Sequence, residues 1–321
     1  MKAIVVTRNG GPEVLELQDV PEPQAGPGQI VVDVAAVGVN YRDIYEREGR
    51  TPTNPPLVAG IEGAGSVSAV GEGVADISVG DRVAWASGPG SYAERVAVDA
   101  GRAVPVPSEV SDETAAAAIL QGMTAHYLAC TTYPVQAGDT VVVHAAAGGV
   151  GLLLTQIVKL RGGRVIGTTS TDEKAELARR AGADEAVRYE SFADRVRELT
   201  GGEGAAAVYD GVGQATFDGS LASLRTRGVL AVYGMASGPV PPFDTQRLMG
   251  GGSLFLTRPS LQHYAAVRSE LLQRAAEVFR WIAEGTLEVR IGGRYPLADA
   301  ARAQSDLESR ATTGKLVLGL S

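Results

Sequence analysis

Val141-Val142-Val143-His144-Ala145-Ala146-Ala147-Gly148-Gly149-Val150-Gly151 breaks from an apolar run into a glycine-rich turn and continues as the helical pattern Leu152–Leu160. Small side chains in such a turn let the backbone come within hydrogen-bonding distance of a diphosphate, and the helix that follows aims its unpaired N–H groups and positive dipole end at the same anion. Set against the dinucleotide fingerprint Gly-x-Gly-x-x-Gly, Ala146 stands at the first glycine position, with Gly148 and Gly151 at the second and third. Alone, the pattern also fits a tight strand-to-helix turn in some other α/β protein. A second strand-like run, Arg164-Val165-Ile166-Gly167-Thr168-Thr169, follows at βαβ spacing and favours the dinucleotide reading.

Outward from this centre, apolar periodicity alternates between strand and helix. Ala115–Leu120 and Thr124–Thr132 read as helices. After them come Val141–Ala145, Val150–Arg161, Arg164–Thr169, Asp172–Ala181, Ala186–Tyr189, Phe192–Leu199, Ala206–Asp210, Gln214–Leu224 and Gly228–Tyr233 in strand–helix alternation. This predicts a doubly wound parallel sheet, an α/β fold, followed by a long helix over Tyr264–Glu284. The preceding 120 or so residues are β-rich: Ile30–Val39, Gly63–Val70 and Asp81–Trp85 are strand-like and separated by Gly- and Pro-rich turns, as in a folded-over sheet or partial barrel. The tail Lys315–Leu320 is strand-like again and is expected to rejoin the first domain, making that domain discontinuous.

At 321 residues, two domains are the default expectation. A net charge of −8 argues against a nucleic-acid surface, which needs clustered Lys and Arg. The lone Cys130 excludes a disulfide within the chain and any multi-cysteine zinc knot, and suits a reducing compartment. Met1–Val6 is too short an apolar run for a signal peptide, and no stretch is long enough to span a bilayer, so the expected location is cytoplasmic.

The end of the second strand of the βαβ unit decides the cofactor. An NAD-selective site places Asp or Glu about twenty residues past the glycines, to accept from the ribose hydroxyls. Here the residues are Thr168-Thr169-Ser170-Thr171, with no carboxylate at the strand tip to repel a 2′-phosphate. Lys174 falls in the first turn of the next helix, where a cation opposes the helix dipole and a bound phosphate relieves the opposition. NADPH preference follows, with Ser170 and Lys174 on the phosphate; the alternative for Lys174 is a solvated side chain balanced by Asp172 and Glu173.

A catalytic zinc would need Cys, His and carboxylate ligands. The chain offers three histidines, His126, His144 and His263, and one cysteine. His144 lies inside the fingerprint strand, where a satisfied buried histidine is expected, so no metal site is predicted. Without a Lewis acid the acceptor must already be electrophilic, such as a quinone or an enone.

Several further segments carry a family resemblance: Gly10-Gly11-Pro12-Glu13-Val14-Leu15, Gly38-Val39-Asn40-Tyr41-Arg42-Asp43, Gly80-Asp81-Arg82-Val83, Gln121-Gly122-Met123-Thr124-Ala125, Thr257-Arg258-Pro259-Ser260-Leu261 and Glu308-Ser309-Arg310-Ala311-Thr312. Together with the glycine-rich turn, they make the chain resemble, almost end to end, the zinc-free, zeta-crystallin-like NADPH:quinone oxidoreductases of the medium-chain dehydrogenase/reductase superfamily. Zinc-dependent relatives carry Cys where this chain has Asn40 and His where it has Ile61, although Glu62 remains. The resemblance implies a GroES-like catalytic domain, residues 1–124 completed by 261–321, and a Rossmann NADPH-binding domain, residues 125–260, with the active site in the cleft separating them.

The resemblance also implies site residues. Asn40 and Tyr45 would line the nicotinamide end, with Thr124 and Tyr127 near the nicotinamide and its ribose. Gly148, Gly149 and Val150 would hold the diphosphate. Ser170, Lys174, Tyr189 and Arg310 would surround the adenosine phosphate; the alternatives are strand-end packing for Tyr189 and a surface salt bridge to Glu308 or Asp306 for Arg310. Tyr233, Gly234, Met235 and Ala236 would pass beside the nicotinamide, Met235 standing where the family often has a polar residue. Phe255, Leu256 and Thr257 would offer backbone groups to the carboxamide. An edge strand over Ser253–Thr257 would leave unpaired backbone groups for a second subunit, predicting a homodimer.

The function expected is hydride transfer from NADPH to a quinone or conjugated carbonyl, with Tyr45 first and Tyr41 in reserve for orienting or protonating the acceptor oxygen, Asn40 as hydrogen-bond donor and Thr124 beside the reacting ring. Water is the alternative proton source. An enone or enoyl reductase acting on one metabolite is the nearest alternative. A non-catalytic NADPH-binding sensor is the alternative from another class.

Overall fold

Strand β3 (Gln29–Val39), eleven residues rich in Val and Ile, is the spine of the first part of the molecule because three other strands pair with it. The computed structural model describes residues 1–320. Its chain divides into two compact units, one made of Met1–Met123 with the stretch from Ala265 onward, the other of Thr124–Tyr264. The sequence reading set these divisions at 124/125 and 260/261.

In chain order the first unit contains β1 (Lys2–Val6), β2 (Leu15–Asp19), β3, α1 (Tyr41–Arg47), β4 (Leu57–Val58), β5 (Gly63–Val70), β6 (Arg82–Trp85), β7 (Arg95–Asp99), β8 (Val104–Pro105) and the first part of α2 (Asp112–Tyr127). The second unit follows with β9 (Thr140–Val143), α3 (Gly149–Leu160), β10 (Arg164–Thr169), α4 (Asp172–Arg180), β11 (Glu185–Arg188), α5 (Phe192–Leu199), β12 (Ala205–Asp210), α6 (Phe217–Ala222), β13 (Leu224–Val232), α7 (Gln246–Gly250), β14 (Phe255–Thr257) and α8 (Leu261–Tyr264). The chain then returns to the first unit as α9 (Arg268–Ala283), β15 (Ile291–Pro296), α10 (Ala300–Glu308) and β16 (Lys315–Gly319).

The first unit holds a seven-stranded sheet in the order β15-β16-β3-β5-β6-β8, with β7 also on β3, and a three-stranded sheet β2-β1-β4. Strand β16 pairs antiparallel with β3, Leu316 opposite Val39, so the carboxy-terminal strand completes the amino-terminal domain. The second unit is one parallel sheet in the order β11-β10-β9-β12-β13-β14. Its central strands β9 and β12 are apolar and buried throughout their cores, as a sheet covered on both faces requires. The order reverses between β9 and β12, and ligands of such sheets bind outside the carboxyl ends of the strands at that reversal.

Four local expectations are corrected. The segments 115–120 and 124–132 are joined: α2 runs unbroken through Gln121-Gly122-Met123 and ends in a wide turn over Leu128–Thr132. Gly122 is tolerated because a mid-helix glycine costs only about 1 kcal/mol, and a Cβ there would stand 2.8 Å from Val278 Cγ1. The helix expected over 214–224 shrinks to α6, since Leu224 already begins β13. The long helix expected over 264–284 starts at Arg268, the Ala265 carbonyl being taken by Arg102 Nη1 at 2.8 Å. The edge strand spans Phe255–Thr257 rather than Ser253–Thr257, because Ser253 has φ +56° and cannot extend it.

Candidate functional site

Strand β9 delivers the chain to the glycine-rich turn at the sheet's reversal point. Ala145 there has φ +49°, Gly148 N donates to Ala145 O at 2.8 Å, and Gly148 in extended conformation caps α3 without any side-chain hydrogen bond. The first turn of α3 therefore presents backbone N–H groups that no side chain caps, at the positive end of the helix dipole. Gly151 is required by closeness: a Cβ would lie 2.3 Å from Ala145 O and 2.8 Å from Ala146 Cα, both backbone atoms. Gly167 on β10 is similar, its Cβ falling 2.7 Å from Ala146 Cβ. A backbone approach this close, at the start of a helix with no side-chain cap, is the geometry by which a dinucleotide fold can bring backbone against a diphosphate.

At the tip of β10, Lys174 Nζ reaches Ser170 Oγ at 3.5 Å, and Thr171 caps α4 by accepting from Lys174 N at 3.2 Å. Partial burial of the ammonium lowers the pKa of Lys174. Asp172, two residues before Lys174, is 97% exposed and held by Arg188 Nη2 at 2.6 Å. Tyr189, just past β11, accepts Ala145 N–H on its hydroxyl at 3.0 Å. Two buried polar atoms at this end, Thr169 Oγ1 and Arg188 Nη1, have no hydrogen-bond partner in the protein. Sequence reasoning passed over Arg188, although a cation one residue before Tyr189 at a strand end was the available signal. Arg310 is exposed in the first unit, beyond α10, with φ +58°.

Further along the same sheet a cavity of about 610 Å³ gathers Gly234, Met235, Leu256 and Thr257 with the rings of Phe217 and Phe243, which lie 5.1 Å apart. Arg258 also lines it and donates from Nη1 to Val232 O at 2.9 Å. Leu256 and Thr257 are registered on Leu230 and Ala231 of β13, while Phe255 at the sheet edge is 59% exposed. Tyr233 and Gly234 both donate their N–H to Asp210 O, at 2.8 and 3.3 Å, and Ala236 N donates to Gly211 O at 3.3 Å. Thr124 and Tyr127 occupy the last turn of α2; Tyr127 is buried and stacked on Tyr264, centroids 4.4 Å apart, and burial raises its pKa.

In the first unit, Asn40, Glu62 and Lys315 form a buried cluster. Lys315 Nζ donates to Asn40 Oδ1 at 2.7 Å and to Glu62 Oε2 at 2.5 Å. Asn40 Nδ2 donates to Gly38 O at 3.1 Å and to Glu62 Oε2 at 2.8 Å, and Leu120 N donates to Glu62 Oε1 at 2.6 Å. The sequence reading made Asn40 a hydrogen-bond donor to the acceptor. In the structure both hydrogens of its amide go to groups of the protein. Asn40 also begins α1, its N–H donating to Asp43 Oδ2, which accepts from Tyr92 Oη as well, each at 2.8 Å. Burial outweighs these donors and raises the pKa of Asp43 to about 7. One turn along α1, the Tyr45 ring lies 6.2 Å from Tyr41 and beneath the Arg50 guanidinium at 5.7 Å. Lys315 escaped the sequence reading; a lysine opening an otherwise apolar terminal strand was its only local sign.

Two domain models match, one within each unit, although the second runs past Tyr264 through α9 of the first unit. The alcohol dehydrogenase GroES-like domain matches residues 26–108, and the zinc-binding dehydrogenase domain residues 149–283. The donors present do not fit the metal that the second description suggests. Asn40 and Ile61 replace the Cys and His of zinc-dependent relatives, the Glu62 carboxylate is already neutralised by the Lys315 ammonium, and among the described residues no three His, Cys, Asp or Glu side chains gather.

Whole-chain comparisons are more specific. A quinone oxidoreductase of Pseudomonas aeruginosa is 44% identical, the match covering 99% of each chain. A mycobacterial structure complexed with NADPH superposes with TM-score 0.98 at 54% identity over 100% of both chains. The Escherichia coli quinone oxidoreductase complexed with NADPH superposes with TM-score 0.98 at 40% identity, again over 100% of both. With likeness of this degree from end to end, joined to the glycine-rich turn and the domain division, the chain belongs to the quinone oxidoreductase family of medium-chain dehydrogenases/reductases.

Proposed function

We propose that this protein reduces quinones with NADPH, without a metal. The observation that carries the reading is the pairing of a backbone cradle, closed by Gly151 and left without a side-chain cap, with a strand tip where Ser170 and Lys174 meet and no carboxylate intrudes. NADPH, when bound, supplies the hydride; the overall change is quinone plus NADPH plus one proton to hydroquinone plus NADP⁺.

The chain's own residues bind and orient. Gly148, Gly149 and Val150 would donate backbone N–H groups to the diphosphate, and Ser170, Lys174 and Tyr189 would hold the 2′-phosphate as an ion-paired, hydrogen-bonded group. Thr124, Tyr127 and the Tyr233–Ala236 segment flank the nicotinamide half, and the backbone of Phe255, Leu256 and Thr257 fixes the carboxamide. Tyr45 donates to the acceptor oxygen that gains charge. Asn40, its amide hydrogens committed to Gly38 and Glu62, serves by holding the start of α1 and so the placement of Tyr45. The apolar cavity walls around Met235 and Phe243 would pack against the nicotinamide half and hold donor and acceptor close.

Two further elements belong to the proposal. The exposed edge β14, with Phe255 at its tip, pairs with a second copy to form a homodimer. The lone Cys130 suits a cytoplasmic setting.

Optical assay of NADPH oxidation against a panel of quinones and enones tests the activity. Quinones should exceed enones by at least ~10-fold in kcat/KM, about 1.4 kcal/mol of transition-state discrimination. Faster turnover of enones would reassign the protein to enone reduction, and binding of NADPH with no acceptor turned over would make it a sensor.

A further inference from the structure

Directly behind the glycine-rich turn, the polar side chains of Thr168, His144, Ser220, Asp210 and Thr216 are all buried. Their proton directions can be assigned. The Asp210 carboxylate only accepts: Oδ1 takes Val212 N–H at 2.8 Å and Gly213 N–H at 2.9 Å, and Oδ2 takes Thr216 O–H at 2.7 Å and Ser220 O–H at 2.9 Å. Ser220 has one proton, now committed, so toward His144 Nε2 at 2.9 Å its oxygen can only accept. Nε2 therefore carries the imidazole hydrogen, leaving Nδ1 to accept from Thr168 O–H at 2.8 Å. Every proton points one way, from Thr168 through His144 and Ser220 to Asp210.

A histidine, a serine and an aspartate in contact invite a nucleophile reading, and the directions exclude it. The imidazole donates to the serine instead of taking its proton, and Ser220 is fully buried. Buried neutral, with Phe192 edge-on at 4.7 Å, the ring holds structure in place.

What it holds spans the candidate cofactor site. Thr168, His144 and Asp210 stand at the carboxyl ends of β10, β9 and β12, and Ser220 lies on α6. On one side His144 runs straight into Ala145, whose N–H is on Tyr189 Oη, with the Tyr189 ring 6.1 Å from the imidazole and nearly parallel to it. On the other side the Asp210 carbonyl takes the N–H groups of Tyr233 and Gly234. The relay thus runs from the residues proposed for the adenosine phosphate and diphosphate to the segment proposed for the nicotinamide.

We propose that His144 is a positioning residue for the dinucleotide, fixing through this one-way relay the spacing between the adenosine-phosphate half-site and the nicotinamide half-site. The inference rests on the NADPH reading above. A rigid spacing matters because the gain of a dinucleotide over either half comes from a second half-site already in place, with no ordering cost at binding. The relay therefore acts on whole-cofactor affinity far more than on affinity for the adenosine half.

Calorimetric titration with NADPH and with adenosine 2′,5′-bisphosphate separates the possibilities, stoichiometry reporting the folded fraction. In His144→Phe, NADPH affinity should fall at least ~10-fold and the bisphosphate less than ~3-fold. His144→Gln, which can donate to Ser220 and accept from Thr168, should recover most of the loss. Unchanged NADPH affinity, or equal losses for both ligands, overturns the positioning role while wild-type binding keeps the NADPH reading. Wild type failing to bind NADPH overturns both. Should His144→Phe not fold, Ser220→Ala breaks the relay at one oxygen: a loss of NADPH affinity of ~3-fold or more, with bisphosphate affinity retained, supports the role, and a smaller loss overturns it.

Discussion

Replacing Lys315 by Met tests the buried cluster of the first unit. The substitution keeps most of the side-chain volume and removes the ammonium from Glu62 Oε2 and Asn40 Oδ1, at a place where the two charged side chains are 1% and 0% exposed. Glu62 keeps only the N–H of Leu120 and the amide of Asn40. A buried charge left without its counter-ion costs about 3–5 kcal/mol. At about 2–4 °C per kcal/mol for a unit of this size, Tm should fall by roughly 6–20 °C. Both tryptophans, Trp85 and Trp281, lie in the first unit, so their fluorescence during denaturant unfolding reports that unit specifically. Adding Glu62→Gln to Lys315→Met removes the orphaned charge and should restore all but about 1–2 kcal/mol. A single variant destabilised by less than ~1 kcal/mol, or a double variant no better than the single, would refute the assignment of Lys315 as the counter-charge.

Three other outcomes follow. Gly151→Ala puts a Cβ 2.3 Å from Ala145 O, so the turn and α3 must separate by about 1 Å against an ordinary contact of ~3.4 Å; loss of charge-assisted N–H contacts should weaken NADPH about 10–100-fold in a fluorescence titration, and a Kd within ~3-fold of wild type would show that the cradle does not need this approach. Lys174→Ala should lower the NADPH-to-NADH ratio of kcat/KM by about 10-fold or more, chiefly at low salt, and an unchanged ratio removes Lys174 from phosphate recognition. Asp43, raised by burial to about 7 from 3.8, binds a proton in the folded state that the unfolded chain releases near pH 4. Its protonation therefore stabilises the fold at low pH, and the stabilisation is lost as pH rises through 7, by at most about 4 kcal/mol. Asp43→Asn should gain on wild type in urea midpoint between pH 5 and pH 8; a constant difference would contradict the raised value.

The cradle was legible because its requirement is local and steric: Gly151 and the small residues before it answer to backbone atoms within a few positions of themselves. The strand Arg164–Thr169 and the helix Phe192–Leu199 were read with the bounds they have, since period-2 and period-3.6 patterns there are undisturbed. Tyr41–Arg47, Ile291–Pro296 and Ala300–Glu308 went unassigned. The Asn40 amide is a harder case. Its orientation is decided by Lys315, 275 residues away in sequence, and by Glu62, 22 residues away, and no local pattern encodes such a meeting. The same holds for His144, whose burial was expected and whose partners Thr168 and Ser220 only the folded sheet brings together.

Calorimetric titration of the purified protein with NADPH and, separately, with NADH is the most direct test of the central claim, that the turn over Ala145–Gly151 and the Ser170–Lys174 tip together hold a phosphorylated nicotinamide cofactor. NADPH should bind at one equivalent per chain and at least ~10-fold tighter than NADH, a difference of about 1.4 kcal/mol. Absence of heat with NADPH, or equal affinity for the two cofactors, would contradict it.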